Sequence, residues 1–384
     1  MSLGLPLTSS PPGQLMEESV DAIRARIAAA KNELGQRLMI LGHHYQRDTI
    51  IEHADATGDS FLLSAQAAAS DAELIVFCGV HFMAESADIL TRPDQTVMMP
   101  NVRAGCSMAD MANLSDVEEC WYELLEMTRL GDPVDRVDSD SPAEAGQSYL
   151  IPVTYMNSAA DLKAFVGEHG GIVCTSSNAA GVLDWAWERA GEHGKVLFFP
   201  DQHLGRNTGL AMGLEEQQMV VWTPGEEICE QSVENSRLIL WHGYCSVHAR
   251  FTTQQIDELR SSAPEALIVV HPECSREVVE SSDAVGSTEF IRTFCADAAA
   301  GSIIGIGTEI HLVRRLDELY PDKQIICLDP LVCPCSTMYM IHPSTLADLL
   351  EALVAGEARN VVSIDDTTAA LARLGLDRML SILR

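Results

Sequence analysis

Positive charge, aromatic side chains and long apolar runs are all scarce in this chain. Its 384 residues carry 25 lysines and arginines against 56 aspartates and glutamates, a formal charge of −31, and only 5% are aromatic. Nucleic acids and anionic membranes both demand a basic surface, so the charge balance argues against either as a partner. No apolar run approaches the roughly 20 residues needed to cross a bilayer. The opening string MSLGLPLTSSPPGQLMEES has neither a basic start nor a cleavable apolar stretch. Residues 1–16 therefore read as a disordered polar leader, and the chain as cytoplasmic. Also missing are compact metal-binding spacings: there is no paired CxxC, no CxxxCxxC triplet and no HExxH. Cysteine itself is plentiful, with 11 residues. Without a secretory signal they imply a reducing compartment, where they are thiols or metal ligands rather than disulfides.

What the chain does have is a hydrophobic content of 47%, a mean hydropathy of +0.05 and enough length for two or three domains. Short β-branched runs alternate with amphipathic helical patterns, the signature of parallel α/β units. The runs fall into three sets. The first is LMILGHHYQ, ELIVFCGVHF and TVMMPNVRAGC; the second is YLIPVTYMNS, GIVCTSSNA and VLFFPDQHLG. The third is RLILWHGYCSVH, ALIVVHPECS and IIGIGTEIHL, followed by QIICLDPLVC. This predicts an α/β protein of three similar small three-layer domains with parallel sheets, arranged pseudo-three-fold around a central cluster site. The domains are placed at 17–129, 149–234 and 235–345, with an acidic linker at 130–148 and C-terminal packing helices at 346–384. Residues 206–236 read as a surface helix with flanking loops. In parallel sheets ligands bind beyond the carboxyl ends of the strands, where all the polar clusters of this sequence fall.

Three cysteines, Cys106, Cys245 and Cys335, each follow an apolar run in a tight turn. Three soft thiolates from remote turns can hold an iron–sulfur cluster while leaving one iron without a protein ligand, a Lewis acid. Around them stand polar clusters that also have ordinary readings as caps and turns. His43-His44-Tyr45-Gln46 precedes Gly58-Asp59-Ser60, where Ser60 can cap a helix beside a carboxylate site. Tyr155-Met156-Asn157 pairs with Thr175-Ser176-Ser177-Asn178, a run suited to phosphate or carboxylate. His248, His271-Pro272-Glu273 and Gly286-Ser287-Thr288 form the third cluster, in which His271 and Glu273 could act as a proton-relay pair.

Taken together these strings resemble the quinolinate synthase family. The matches run from about Leu41 to Thr345: HHYQ, AD…GDS, FCGVHFMAESADIL, RAGCSMAD, YMNSAADLKAF, CTSSNA, PDQHLG, WHGYCSVH, HPEC, GSTEF and CSTM, in order. The resemblance implies three α/β domains around a central pocket and one [4Fe–4S] cluster per chain held by Cys106, Cys245 and Cys335. Cys335 is preferred to Cys333 because the family's ligand precedes Met by three residues, as Cys335 precedes Met338. The implied reaction is condensation of iminoaspartate with dihydroxyacetone phosphate to quinolinate, with loss of phosphate and water and no net electron transfer. That is a transferase step of NAD biosynthesis. Glu273 with His271 would move protons, and Tyr45 and Tyr155 would hold or protonate substrate oxygens. His43, Ser60, Tyr155, Asn157, Ser177, His248, His271, Glu273 and Thr288 would bind substrate; Ser176 and Ser177 are not separable by sequence. A functional link to L-aspartate oxidase and a homodimer are further expectations.

Other classes fit less well. An iron–sulfur regulator predicts a basic DNA-binding module that a chain of −31 does not offer. A zinc hydrolase using His43, His248 and His271 would leave the cysteine turns without a role.

Overall fold

The computed structural model describes residues 18–137, 140–329, 331 and 334–382. The leader at 1–16 and Cys333 lie outside the described residues.

Three sheets organise the chain, and each is built in the same order. The first holds β1 (Leu38–His43), β2 (Ala56–Gly58), β3 (Leu74–Cys78) and β4 (Thr96–Met98), arranged β2-β1-β3-β4. The second holds β5 (Leu150–Tyr155), β6 (Ile172–Cys174), β7 (Lys195–Phe199), β8 (Met219–Trp222) and β9 (Leu238–Trp241), arranged β6-β5-β7-β9-β8. The third holds β10 (Leu267–Val270), β11 (Ala284–Val285), β12 (Ile303–Gly307) and β13 (Gln324–Cys327), arranged β11-β10-β12-β13. In each, the first strand takes the second on one side and the third on the other, and a fourth extends the sheet. All these pairs are parallel; β1 and β3, for example, run in register from Leu38 opposite Leu74. Helices cover both faces, so the strands read as continuous apolar runs, and every residue of β5 is buried.

The α/β reading with three parallel-dominated sheets holds, and strand pairing gives one run to a different sheet. The sequence pattern groups Leu238–Trp241 with the third set of strands, yet this run pairs with β7 and β8 in the second sheet. The second sheet therefore runs on to the strand that leads into the Cys245 turn. Residues 206–236 also contain an unforeseen strand, β8, whose four residues pair along β9. Its short apolar run, MVVW, offers no periodicity to separate strand from helix.

The C-terminal segment does more than pack. A helix at Pro343–Val354 leads to β14 (Val361–Val362), which adds antiparallel to β4 at the edge of the first sheet. The last helix, Asp366–Ser381, is capped by Asp365 and lies against helix Ala160–Glu168 of the second unit. That approach is close enough to require glycine. A Cβ on Gly167 would stand 1.9 Å from the Leu371 carbonyl oxygen.

Candidate functional site

The carboxyl ends of the strands converge on one cavity. Its wall takes His43 and Tyr45 after β1, Asp59 and Ser60 after β2, and Phe82 after β3. Tyr155 and Asn157 follow from β5, Thr175 and Ser176 from β6, His271 and Glu273 from β10, and Thr288 from β11. Cys106, Cys245 and Cys335 line the same cavity, each from the turn after the fourth strand of its unit order: β4, β9 and β13.

The cysteines open three copies of one local structure. Each is followed by serine, its carbonyl accepts from the N–H four residues on, and a short 3-10 turn begins at the third residue. The accepted donors are Asp110, Ala249 and Tyr339, at 3.0, 2.9 and 3.0 Å. The turns are Ala109–Met111, His248–Arg250 and Met338–Met340. A thiol at the start of such a turn faces free backbone N–H groups, which favour its thiolate. Burial nevertheless pushes Cys106 up to about 12 against the N–H groups of Ala109 and Met108, and Cys335 nearby adds to the rise. Burial, then Glu273, holds Cys245 well above the ordinary thiol range. Cys106 and Cys245, each raised in part by a neighbouring thiol, suit a metal centre, whose positive charge reverses that balance. No fourth cysteine lines the cavity among the described residues. The donor set thus fits an iron–sulfur cluster with one iron free of protein ligation. One sulfur also belongs to a mixed group: ligand atoms of Cys245, His248 and Glu273 lie within 4.8 Å of one another.

A hydrogen-bonded chain crosses the cavity wall and joins all three units. Tyr155 donates to Glu273 Oε1 at 2.7 Å, and His248 Nδ1 lies 2.8 Å from Oε2. On the other side of that ring, Nε2 is 3.2 Å from Thr308 Oγ1, which is 2.8 Å from the Tyr45 hydroxyl. Burial alone would raise Glu273, but the neighbouring His271 and His248 and the bonds from His248 and Tyr155 outweigh it. Glu273 is therefore held ionised, below its usual range, and can only accept. Both tyrosines are pushed well above the phenol range by burial and then by Glu273, so they keep their protons. An acceptor-only Glu273 takes the Tyr155 O–H and the His248 Nδ1–H, while His248 Nε2 faces both Thr308 Oγ1 at 3.2 Å and the Tyr45 hydroxyl at 3.4 Å.

This changes the partner expected for Glu273. His271 stacks on His248, with ring centres 4.5 Å apart, but its Nδ1 is 3.8 Å from the carboxylate. That nitrogen instead accepts from the Glu273 backbone N–H at 3.4 Å, and burial lowers the ring to about 3. His43 is similar: Nδ1 accepts from the Tyr45 N–H at 3.1 Å, and burial holds it neutral.

The remaining candidates sort by position. Asp59, not Ser60, caps helix Ser60–Ala69, accepting from Leu62 N–H at 2.8 Å; Ser60 is its first residue and faces the cavity. Ser176 lines the cavity, whereas Ser177 lies in the adjoining groove and donates to Asp59 at 3.1 Å. Thr288 is buried with its hydroxyl unpartnered.

Three further residues carry the site without having been singled out. Thr308 links Tyr45 to His248. Glu309, fully buried, accepts from the Cys335 N–H at 3.2 Å and from His311. Asp201 lies behind Glu273, its carboxyl held well above the usual range by burial and then by that neighbour. The GTE and PD strings at the ends of β12 and β7 carried the signal, a hydroxyl or carboxylate straight after a buried strand.

The sequence model of the quinolinate synthetase A protein family (NadA) matches residues 25–381. A quinolinate synthase from Corynebacterium glutamicum is 52% identical over 375 residues, covering 97% of this chain and 90% of its own. That of Streptomyces coelicolor is 48% identical over 379 residues, covering 97% and 91%. That of Geobacillus kaustophilus is 47% identical over 363 residues, covering 94% and 93%.

Proposed function

The chain belongs to the quinolinate synthetase A family, its activity is quinolinate formation for NAD biosynthesis, and from that premise we propose how its residues perform the reaction. The substrates are iminoaspartate and dihydroxyacetone phosphate, and the step is a transferase condensation that releases phosphate and water. Cys106, Cys245 and Cys335 would hold one [4Fe–4S] cluster. When bound, that group supplies a Lewis-acidic iron in the cavity.

The protein's own part is to bind, orient and move protons. Ser60, Asn157, Ser176 and Thr288 present hydroxyl or amide groups that make no hydrogen bond among the described residues, so they are free to bind carboxylate and phosphate. Ser177 supports them from the groove through Asp59. His43 and His271, each accepting at Nδ1, carry their proton on Nε2 and can donate it to an anionic oxygen. Tyr45 and Tyr155 stand at the two ends of the chain to Glu273. A proton taken up at the Tyr45 oxygen moves that phenol's own proton to Thr308 and the Thr308 proton to His248 Nε2. The resulting imidazolium lies against an ionised Glu273, which offsets its charge. Isomerisation and dehydration need this kind of reversible proton store.

The observation that carries the reading is the convergence of three Cys-Ser turns on the cavity that also holds the Tyr45–Glu273 chain. A functional link to L-aspartate oxidase follows from the instability of the imine, and a homodimer remains part of the proposal. The test is iron and sulfide content, with absorbance near 400 nm, on protein purified without oxygen. About four of each per chain is expected, lost in Cys106→Ala, Cys245→Ala and Cys335→Ala, with quinolinate formed only by the loaded wild type. Uptake of zinc at the Cys245–His248–Glu273 group in place of iron and sulfide would overturn it.

A further inference from the structure

Lys163 is fully buried on helix Ala160–Glu168, behind the cavity wall. Its ammonium donates to the Ser158 carbonyl and rests 5.5 Å from the centre of the Phe82 ring. Among the described residues no carboxylate comes within 4.0 Å of it. The acids that face it are Glu85, from helix His81–Leu90, and Asp161, on its own helix. Glu85 already serves the Ala160 N–H at 3.0 Å and His81 at 3.3 Å. A buried ammonium without an ion-pair partner is costly to fold and calls for a use.

Its surroundings supply one. Ser158 closes a turn in which its hydroxyl donates to the Tyr155 carbonyl at 2.8 Å and receives Thr154 Oγ1 at 2.9 Å. That turn presents Tyr155 and Asn157 to the cavity, and Phe82 lines the cavity too. The wall contains the carboxylates of Asp59 and Glu273 but no lysine or arginine. A chain of −31 must nevertheless admit substrates that carry carboxylate or phosphate.

We propose that Lys163 is a positioning residue for the anionic substrate, fixing the Tyr155–Ser158 turn through the Ser158 carbonyl and placing a positive charge without an ion-pair partner behind Phe82. The proposal rests on the reading of this cavity as a dicarboxylate and phosphate site. Burial, which holds the amine down at about 8, still leaves it largely charged at neutral pH.

The test uses cluster-loaded protein, Lys163→Met and Lys163→Gln, with succinate as a dianionic probe and succinamide as its neutral counterpart. Calorimetric affinities are measured alongside quinolinate kinetics. Lys163→Met is expected to weaken succinate at least tenfold and succinamide less than twofold, raising KM with kcat within threefold. Lys163→Gln keeps a donor for Ser158 but not the charge, and should weaken succinate similarly; it decides the matter if the methionine variant does not fold. Equal affinity of variant and wild type for succinate overturns the proposal, as does parallel weakening of both probes, the mark of a merely structural residue. A wild type that binds succinate no better than succinamide and makes no quinolinate overturns the reading of the site itself.

Discussion

Along one wall of the cavity, Tyr45, His248, Glu273 and Tyr155, with Thr308 bonded to two of them, have completed their hydrogen bonds within the protein; along the other, Ser60, Asn157, Ser176 and Thr288 leave theirs open. The first wall draws Glu273 and Thr308 from the third sheet's strand ends, Tyr155 and His248 from the second's and Tyr45 from the first's. The second is built from helix starts and turns after β2, β5, β6 and β11. The difference separates two tasks. Groups bonded to one another hold a fixed proton arrangement and can shift it as a unit. Groups left open have unspent donors, which is what an anionic ligand recognises.

Glu273→Gln should break this contrast most severely. The amide keeps the shape but removes the charge that orders the chain, so kcat is expected to fall by about 10³ with KM little changed. An equal rise in KM, measured by steady-state kinetics on cluster-loaded protein, would mean that the bonded wall also binds substrate. Thr288→Val, on the open wall, is expected to do the reverse. Losing one hydrogen bond to a charged group costs about 2 kcal/mol, so KM should rise roughly 30-fold while kcat changes little. A larger fall in kcat than rise in KM would erase the distinction between the walls.

The smallest effect sharpens the comparison from behind the open wall. Lys163 has its folded value lowered from 10.5 to about 8 by burial. Below pH 8 both folded and unfolded chains carry its charge, and the folded state bears the full cost of burying it. Between pH 8 and 10.5 the folded chain loses the proton first, so wild-type stability from this group rises with pH. Lys163→Met should therefore be more stable than wild type at pH 7, by about 2 kcal/mol once the lost Ser158 hydrogen bond is counted. The gap should close and then reverse as pH rises from 8 to 10.5 in denaturant titrations, because the cost of burying the charge fades while the lost hydrogen bond remains. A gap that widens with pH would reverse the sign and count against a charged Lys163.

Much of this was legible locally. Alternation of buried strands with amphipathic helices marks α/β units wherever it occurs, and Cys-Ser turns after strands mark three related ends. A helix such as Val20–Leu34 shows its buried face in Ile23, Ile27, Ala30 and Leu34, spaced for one side of a 3.6-residue period. Less legible were choices between near neighbours. Asp59 and Ser60 are both good capping types, and only the backbone angle at the helix start selects Asp59. His271 lies two residues from Glu273 in sequence, yet His248, twenty-five residues away, makes the bond.

The sequence by itself determined the unit that is repeated, because strand periodicity, turn residues and the position of cysteine after a strand are short-range properties. Only the tertiary structure decided which sheet takes Leu238–Trp241, which histidine serves Glu273, and that Thr308 and Lys163 stand beside the site. Those outcomes depend on how buried surfaces from distant segments fit together. Burial fixes the approach of the strand ends, and that approach sets which polar atoms meet and which stay open for a ligand.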